Sequence, residues 1–175
     1  AGTAGRALDL GTGSGALLIA VLAQRPEWKG VGIDASPAAL AVAEGNAGAL
    51  GLAARSQWLA RDWHAAGWAE GLGTFDLILC NPPYVEADAA LDPQVRDHEP
   101  HTALFAGPEG LDDYRVLIPQ LVKLLASGGI AIFEIGAGQA EAVTALAEAA
   151  GFTADLRRDL AGRPRALVLR CAKSG

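Results

Sequence analysis

Segments typical of buried strands alternate with segments typical of helices along almost the whole chain, and this alternation constrains the fold most. A strand at residues 6–10 leads through a glycine-rich loop at 11–15 into an Ala/Leu-rich helix at about 16–25. A second strand at 30–34 leads into a helix at about 36–50, which begins with a capping serine and a proline. The strands are continuous apolar runs, a pattern that favours a mainly parallel sheet covered on both faces.

The alternation continues to the end of the chain. The remaining predicted elements are strands at 56–60 and 75–80, a helix at 112–126, a strand at 130–135, a helix at 139–150, and strands near 154–157 and 166–170. They predict an α/β, Rossmann-like fold with a seven-stranded, mostly parallel sheet and helices on both faces. A chain of 175 residues is about the size of one domain, so we expect a single domain over residues 1–175.

The composition predicts a soluble, cytoplasmic protein. Hydrophobic residues make up 51% of the chain, yet no apolar run approaches the roughly 18 residues of a membrane span, and the first residues lack a signal-peptide pattern. The net charge of −6 argues against a broad phosphate-binding surface. We therefore expect a protein or small-molecule partner, no membrane contact, no direct nucleic-acid binding and a monomer. Cys80 and Cys171 lie far apart in apolar runs, which favours buried, reduced thiols over a disulfide or a metal site.

Four polar residues lie at or just after the ends of predicted strands. They are Asp9, Asp34, Asp62 and Asn81. Ligands of parallel α/β sheets bind beyond the carboxyl ends of the strands, so we expect these side chains to converge on one edge of the sheet. The irregular stretch at 85–111 follows the last of them and is long for a passive loop, so we expect it to form part of a substrate wall.

The glycine loop predicts a nucleoside cofactor. Its three glycines, Gly11, Gly13 and Gly15, let the backbone approach a ligand closely, and Asp34 is placed to accept hydrogen bonds from ribose hydroxyls. The spacing is G-x-G-x-G after Asp9, tighter than the G-x-G-x-x-G of dinucleotide sites. This pattern favours S-adenosylmethionine over NAD, because that cofactor carries an ammonium group and no pyrophosphate. A tight strand-to-helix turn, with Asp34 as a helix-entry acid, is the alternative.

Asp62 and Trp63 follow the third predicted strand. A carboxylate at this place can accept a hydrogen bond from the adenine amino group, and an indole can cover the face of the ring. Ordinary core packing is the alternative for the tryptophan.

The segment Asn81-Pro82-Pro83-Tyr84 suits methylation of a planar nitrogen. An amide nitrogen is a poor nucleophile because resonance delocalises its lone pair. The side-chain oxygen of Asn81 and the carbonyl of a following proline can each accept one N–H, which directs the lone pair toward an electrophile. The prolines fix the backbone, and Tyr84 can stack on the substrate plane. A rigid loop without chemistry is the alternative.

Other candidate residues carry weaker signals. His98 and His101 have the spacing of a metal pair, but no third ligand completes a site, so we expect no metal. Glu99 is expected to be structural. Glu134 ends an apolar strand, where it could orient the NPPY segment or simply form a turn.

Taken together, these motifs resemble the HemK/PrmC family of release-factor glutamine N5-methyltransferases. The residues that carry the resemblance are Asp9-Leu10-Gly11-Thr12-Gly13-Ser14-Gly15, Asp34, Arg61-Asp62-Trp63 and Asn81-Pro82-Pro83-Tyr84-Val85. Further similar segments are His98-Glu99-Pro100, Ala103-Leu104-Phe105, Gly110-Leu111-Asp112, Tyr114-Arg115, and Glu134-Ile135-Gly136 with Gln139. The resemblance covers nearly the whole chain. The family normally carries an amino-terminal helical domain, which we expect to be absent here.

The resemblance implies a class I S-adenosylmethionine-dependent methyltransferase that modifies a glutamine of a peptide chain release factor and leaves S-adenosylhomocysteine. The residues implied to hold the cofactor are Gly11, Thr12, Gly13, Ser14, Gly15, Asp34 and Trp63, to which the strand-end argument adds Asp9 and Asp62. The residues implied to hold the glutamine are Asn81, Pro82, Pro83 and Tyr84. Asn81 is expected to touch both ligands, and Asn81, Pro82 and Tyr84 are expected to act in catalysis.

Two alternative functions stay open. The same NPPY geometry serves nucleic-acid amino methyltransferases that act on adenine N6 or guanine N2. The net charge of −6 and the lack of a basic base-flipping module argue against that function. A cofactor-binding module without chemistry of its own, at this chain length, is the second alternative.

Overall fold

The computed structural model describes residues 3–82 and 110–172. These residues form one seven-stranded sheet with helices on both faces, so the α/β, Rossmann-like architecture is confirmed. The strands are β1 (Gly5–Leu10), β2 (Trp28–Asp34), β3 (Ser56–Ala60), β4 (Phe75–Cys80), β5 (Leu125–Glu134), β6 (Phe152–Arg158) and β7 (Pro164–Cys171). The helices are α1 (Ala16–Gln24), α2 (Pro37–Ala49), α3 (Asp112–Leu124) and α4 (Ala140–Ala149).

The order of the strands places a switch point in the middle of the sheet. The order is β3-β2-β1-β4-β5-β7-β6, and only β7 runs antiparallel to its neighbours. The chain moves outward from β1 to β3 and then returns to the other side of β1 as β4. In such sheets a crevice opens at the carboxyl ends of the two strands where the order reverses, here β1 and β4.

The two faces of β1 pack against different pairs of helices. Ala7 lies in a small core with residues of α1 and α2, whereas Leu8 and Leu10 lie in the main core with residues of α3 and α4. This alternation follows from the two-residue period of a strand. Because both faces are covered, the strand is buried continuously from Ala7 to Leu10, as its apolar run predicts.

The predicted boundary between α3 and β5 is wrong by several residues. The helix was expected to reach residue 126, but it ends at Leu124, and β5 begins at Leu125. Leu125 adopts an extended conformation and pairs with Phe75 of β4. Gly128, with φ 78, would also interrupt a helix. Pairing between strands therefore overrides the helical tendency of the leucines, an effect that local sequence does not report.

The outer strands and the cysteines also depart from expectation. β6 and β7 are longer than predicted because they pair with each other along their whole length. Both cysteines are free thiols, but only Cys80 is buried, and burial raises the pKa of its thiol. Cys171 is exposed at the last position of β7, so the prediction that it is buried is wrong. None of the helices within the described ranges is long and apolar enough to cross a membrane.

We expect Leu8→Ala to lower the free energy of unfolding by about 2–5 kcal/mol, because Leu8 is fully buried in the main core and its removal leaves a cavity. Urea denaturation measures this change. Val42→Ala is the matched control, since Val42 is 53% exposed on α2 and its truncation should cost no more than about 0.5 kcal/mol. Equal costs for the two variants would contradict the assignment of the core.

Candidate active site

The carboxyl ends of β3, β2, β1 and β4 meet at one edge of the sheet. Leu10 of β1 pairs with Ile33 of β2 on one side and with Cys80 of β4 on the other. The residues that follow these positions, Gly11, Asp34 and Asn81, therefore emerge side by side. Asp9 lies one position inside β1, and Asp62 follows β3 by two residues. The structure brings the four predicted strand-end residues to the same edge.

The glycine loop is anchored to the end of β2. The backbone N–H groups of Gly11 and Thr12 both donate to the carbonyl of Ile33, at 3.0 and 2.9 Å, and Gly15 N–H donates to the carbonyl of Thr12 at 2.8 Å. Gly11, Gly13 and Gly15 have φ values of 69, 54 and 79. Side chains other than glycine rarely adopt this left-handed region, so the loop conformation explains the spacing of the glycines.

Only one side of the loop is open. A Cβ atom at Gly11 would lie 3.1 Å from the ring of Trp63, and one at Gly15 would lie 2.9 Å from the ring of Trp58. A Cβ atom at Gly13 would meet nothing within 4 Å of it among the described residues. The backbone at Gly13 is therefore the part of the loop that a ligand can approach.

Ser14 is exposed beside Gly13, and its carbonyl accepts a hydrogen bond from the side chain of Asn46 on α2 at 3.0 Å. Asn46 was not identified from the sequence. It lies 32 residues away in a helix of ordinary composition, and nothing in its local pattern indicates this contact. Asn46 helps hold the loop on the side of α2.

Asp34 joins the glycine loop to the start of α2. Its Oδ2 accepts the N–H of Gly13 at 2.9 Å, and its Oδ1 accepts the N–H of Ser36 at 2.8 Å. Asp34 therefore acts as a helix-entry acid, which is the alternative that the sequence left open. A carboxylate has about four lone-pair sites, so the same group can also accept hydrogen bonds from ribose hydroxyls, and that role stays a prediction.

Asp9 is a buried carboxyl with an unsatisfied oxygen. Only 1% of the residue is exposed, and the hydroxyl of Thr12 donates to Oδ2 at 2.6 Å. Oδ1 has no hydrogen-bond partner among the described residues. Burial raises the pKa of Asp9 to about 6, against the opposing effect of the Thr12 hydrogen bond. An ionised carboxylate in this position favours a nearby cation, because unpaired buried charge is costly.

Trp63 lies between the glycine loop and α3. The indole is half-buried and packs against the main core and Gly11. Its Nε1–H donates to Oδ1 of Asp113 at 2.6 Å, and Nε2 of His64 lies 2.9 Å from the same oxygen. The core-packing alternative for this tryptophan is thus partly correct, but the indole also lines the edge of the sheet. Asp113 escaped sequence reasoning because an acid in the first turn of a helix is explained by the helix dipole alone.

Asp62 is exposed just beyond β3. Its Oδ1 accepts the N–H of His64 at 2.9 Å, a local turn that fixes the direction of the carboxylate. The predicted hydrogen bond to an adenine amino group stays a prediction.

Asn81 follows β4 directly and is exposed, whereas Pro82 is buried. The buried ring holds the backbone that carries Asn81 at the crevice. The first described range ends at Pro82, so the predicted roles of Pro83 and Tyr84 stay predictions. The predicted substrate wall at 85–111 also stays a prediction, because only residues 110 and 111 of it are described. His98, Glu99 and His101 lie outside the described residues too.

Glu134, the last residue of β5, and Gln139, the N-cap of α4, fasten neighbouring elements. Glu134 pairs with Arg165 of β7 at 2.7 Å, and its carbonyl accepts the hydroxyl of Tyr114 at 2.8 Å. Gln139 accepts the N–H of Gly136 at 3.0 Å and donates to the carbonyl of Gly110 at 3.1 Å. These contacts position the start of α3 against the sheet. The predicted orientation of the NPPY segment by Glu134 stays a prediction.

Comparison with known proteins decides the class of this site. A family model described as "Methyltransferase domain" matches residues 2–134. The chain belongs to this methyltransferase family. The matched residues include the glycine loop, Asp34 and Asn81.

The methyltransferase resembles curated relatives that are all named for one activity. It is 47% identical to the "Release factor glutamine methyltransferase" of Rhodospirillum rubrum over 99% of this chain and 53% of the relative. It is 51% identical to the protein of the same name from Caulobacter vibrioides over 83% of this chain and 50% of the relative. The resemblance to the release-factor family is confirmed. The chain spans about half the length of these relatives.

Solved structures show the same fold. The ribosomal protein L11 methylase of Lactobacillus delbrueckii subsp. bulgaricus is 25% identical, with a TM-score of 0.69 over 98% of this chain and 72% of that chain. An O-methyltransferase family protein from Burkholderia thailandensis is 18% identical, with a TM-score of 0.70 over 97% of this chain and 52% of that chain. The second likeness concerns the fold alone.

Asp9 should make the stability of this methyltransferase depend on pH. Its pKa of about 6 in the folded protein exceeds the ordinary value of 3.8, so the folded state holds the proton more tightly. The resulting stabilisation is fully present below the ordinary pKa and is lost as the pH rises through about 6. Relative to Asp9→Asn, which cannot titrate, the wild type should gain roughly 1 kcal/mol between about pH 7.5 and about pH 5.

Urea denaturation of both proteins at the two pH values checks this prediction. The difference between the proteins, rather than either stability alone, isolates Asp9 from the other carboxyl groups. A difference that is independent of pH would contradict the raised pKa.

Proposed function

We propose that this methyltransferase transfers a methyl group from S-adenosylmethionine to the side-chain amide nitrogen of a glutamine in a peptide chain release factor. The observation that carries the proposal is 47% identity, over 99% of the chain, to a curated release factor glutamine methyltransferase. The position of Asn81 and Pro82 beside the glycine loop, across the switch point of the sheet, supports it. Because the chain spans about half of that relative, the activity of the whole protein belongs to the proposal.

The residues at the carboxyl edge fit S-adenosylmethionine. Asp9 offers a buried oxygen that has no hydrogen-bond partner among the described residues, which suits the ammonium end of the cofactor. The open backbone at Gly13 suits close approach, and Asp34 retains lone pairs for ribose hydroxyls. The residues proposed to hold the cofactor are Asp9, Gly11, Thr12, Gly13, Ser14, Gly15, Asp34, Asp62, Trp63 and Asn81. When bound, the cofactor supplies an electrophilic methyl group on a positively charged sulfur.

The residues after β4 are proposed to prepare the nitrogen. Asn81 Oδ1 and the carbonyl of Pro82 would each accept one N–H of the glutamine amide, which directs the nitrogen lone pair toward the methyl group. The methylated nitrogen would then release one of its two protons to solvent, and S-adenosylhomocysteine would be the leaving group. Pro83 limits the backbone conformations at this point, and Tyr84 would stack on the amide plane. Positioning of this kind can supply several kcal/mol of the barrier reduction.

The acidic surface favours a protein substrate. A net charge of −6 does not attract the phosphate backbone of a nucleic acid. The nucleic-acid alternative is not favoured by the curated relatives either, since those with high identity carry the release-factor name. We therefore propose a glutamine that is presented on a loop of the release factor.

Asn81→Ala should lower kcat by at least about 100-fold, the scale observed when one preorganised hydrogen-bonding group is removed from a reacting centre. The fold should stay intact because Asn81 is exposed. Asn81→Asp is the sharper variant. Its carboxylate still accepts a hydrogen bond, but its charge stabilises the sulfonium ground state, and this positive charge disperses as the methyl group moves. We expect a lower kcat with unchanged or tighter cofactor binding.

Single-turnover assays with labelled S-adenosylmethionine measure kcat, and calorimetry with S-adenosylhomocysteine measures cofactor affinity. If Asn81→Asp methylates the release factor at the wild-type rate, a neutral acceptor is not required and the proposed role of Asn81 is wrong.

The second prediction of the proposal concerns the substrate. Intact release factor should be methylated, whereas free glutamine should be a poor substrate, because contacts remote from the amide supply the binding energy that positions it. The matched control is a release factor in which the acceptor glutamine is replaced by alanine. A DNA duplex is the second control. Equal labelling of the two release factors, or preferential labelling of the duplex, would overturn the glutamine assignment.

A further inference from the structure

Trp63 is held at both ends of its indole. The six-membered ring lies against the glycine loop, where a Cβ atom at Gly11 would approach Cη2 to 3.1 Å. The N–H at the other end donates to Oδ1 of Asp113 at 2.6 Å. Asp113 lies on α3, 50 residues further along the chain, and only 5% of it is exposed.

The bond between these two residues has the features of a strong hydrogen bond. An indole N–H can only donate, and a carboxylate acceptor makes the bond charge-assisted, shorter and about twice as strong as a neutral one. Asp113 lies in the first turn of α3, where the helix dipole favours negative charge. The helix dipole therefore helps to stabilise the carboxylate in place.

The contact with Gly11 and the bond to Asp113 together restrict the rotation of the indole. Packing of the indole against the main core restricts this rotation further. His64 reaches the same oxygen at 2.9 Å, but 54% of its side chain is exposed, so its contribution is small. The bond to Asp113 fixes the direction of the indole N–H, and the packing contacts together with this bond define the plane of the ring.

We propose that Asp113 is a positioning residue of the cofactor site, which acts through Trp63 by fixing the indole plane that covers the adenine ring. This inference rests on the proposed function, since it assumes that an adenosyl cofactor binds beside the glycine loop. Asp113 itself touches neither the cofactor nor the reacting atoms.

A double-mutant cycle tests whether Asp113 acts through Trp63. The variants are Asp113→Ala, Trp63→Phe and the double variant, and calorimetry measures the dissociation constant of S-adenosylhomocysteine for each. Trp63→Phe keeps an aromatic face but loses the N–H. We expect each single variant to bind roughly tenfold more weakly, in line with the loss of a hydrogen bond to a charged group. The double variant should bind no more weakly than the weaker single variant, because both changes remove the same interaction.

Two further variants separate positioning from general effects of charge. Asp112→Ala removes a carboxylate from the same helix turn, but Asp112 is exposed and pairs with Arg115, so affinity should change by less than about twofold. Asp113→Asn keeps an oxygen acceptor for the indole N–H, so it should recover most of the affinity that Asp113→Ala loses.

A measurement without cofactor keeps the inference testable if Asp113→Ala does not fold. Nitrogen-15 labelling of the four tryptophans gives one indole N–H resonance each, and Trp63→Phe identifies that of Trp63 by its loss. Asp113→Asn should shift this resonance upfield, because a neutral acceptor forms a weaker bond than a carboxylate. An unshifted resonance would overturn the inference.

The outcomes distinguish the inference from the proposed function. If the wild type fails to bind S-adenosylhomocysteine, the proposed function is wrong and the inference falls with it. If the wild type binds but the effects of Asp113→Ala and Trp63→Phe add in the double variant, the inference alone is overturned, because Asp113 then acts independently of Trp63.

Discussion

The parallel pairing of β1 with β2 on one side and β4 on the other is the constraint on which the site depends. It aligns the ends of three strands, so that Gly11, Asp34 and Asn81 leave the sheet together. The carbonyl of Ile33 then accepts two N–H groups from the glycine loop and fixes the loop at this edge. A shift of one residue in either pairing would turn the side chains of β1 to the opposite face and break the alignment.

The electrostatics of the edge follow from that alignment. Asp9 and Asp34 come from neighbouring strands, and their mutual repulsion adds to the burial that raises the pKa of Asp9. Asp34 accepts hydrogen bonds from two backbone N–H groups, whereas one oxygen of Asp9 has no hydrogen-bond partner among the described residues. The unbalanced negative charge lies beneath a loop with one open face. A cationic ligand with hydroxyl groups would satisfy both acids, which is the chemical reason that we propose S-adenosylmethionine rather than a pyrophosphate cofactor for this site.

The position of Trp63 beside the glycine loop depends on other contacts. Trp63 comes from the end of β3, but its orientation depends on Asp113, which belongs to the helix on the far side of the undescribed stretch. Gln139 and Tyr114 fasten the start of that helix to the end of β5. Trp63 and the end of β5 are thus joined to the same helix terminus.

Local sequence determined the elements and the residues at the ends of β1 to β4, because continuous apolar runs, glycines with left-handed φ values and a capping serine act over short distances. It also led to the roles that are proposed for the glycine loop and for Asn81 and Pro82. Only the tertiary structure decided the beginning of β5 at Leu125, the exposure of Cys171, the support of Ser14 by Asn46, and the bond between Trp63 and Asp113. Each of these features depends on contacts between residues that are far apart in the chain. Strand pairing and helix packing decide which residues meet, and the local sequence around either residue does not indicate its partner.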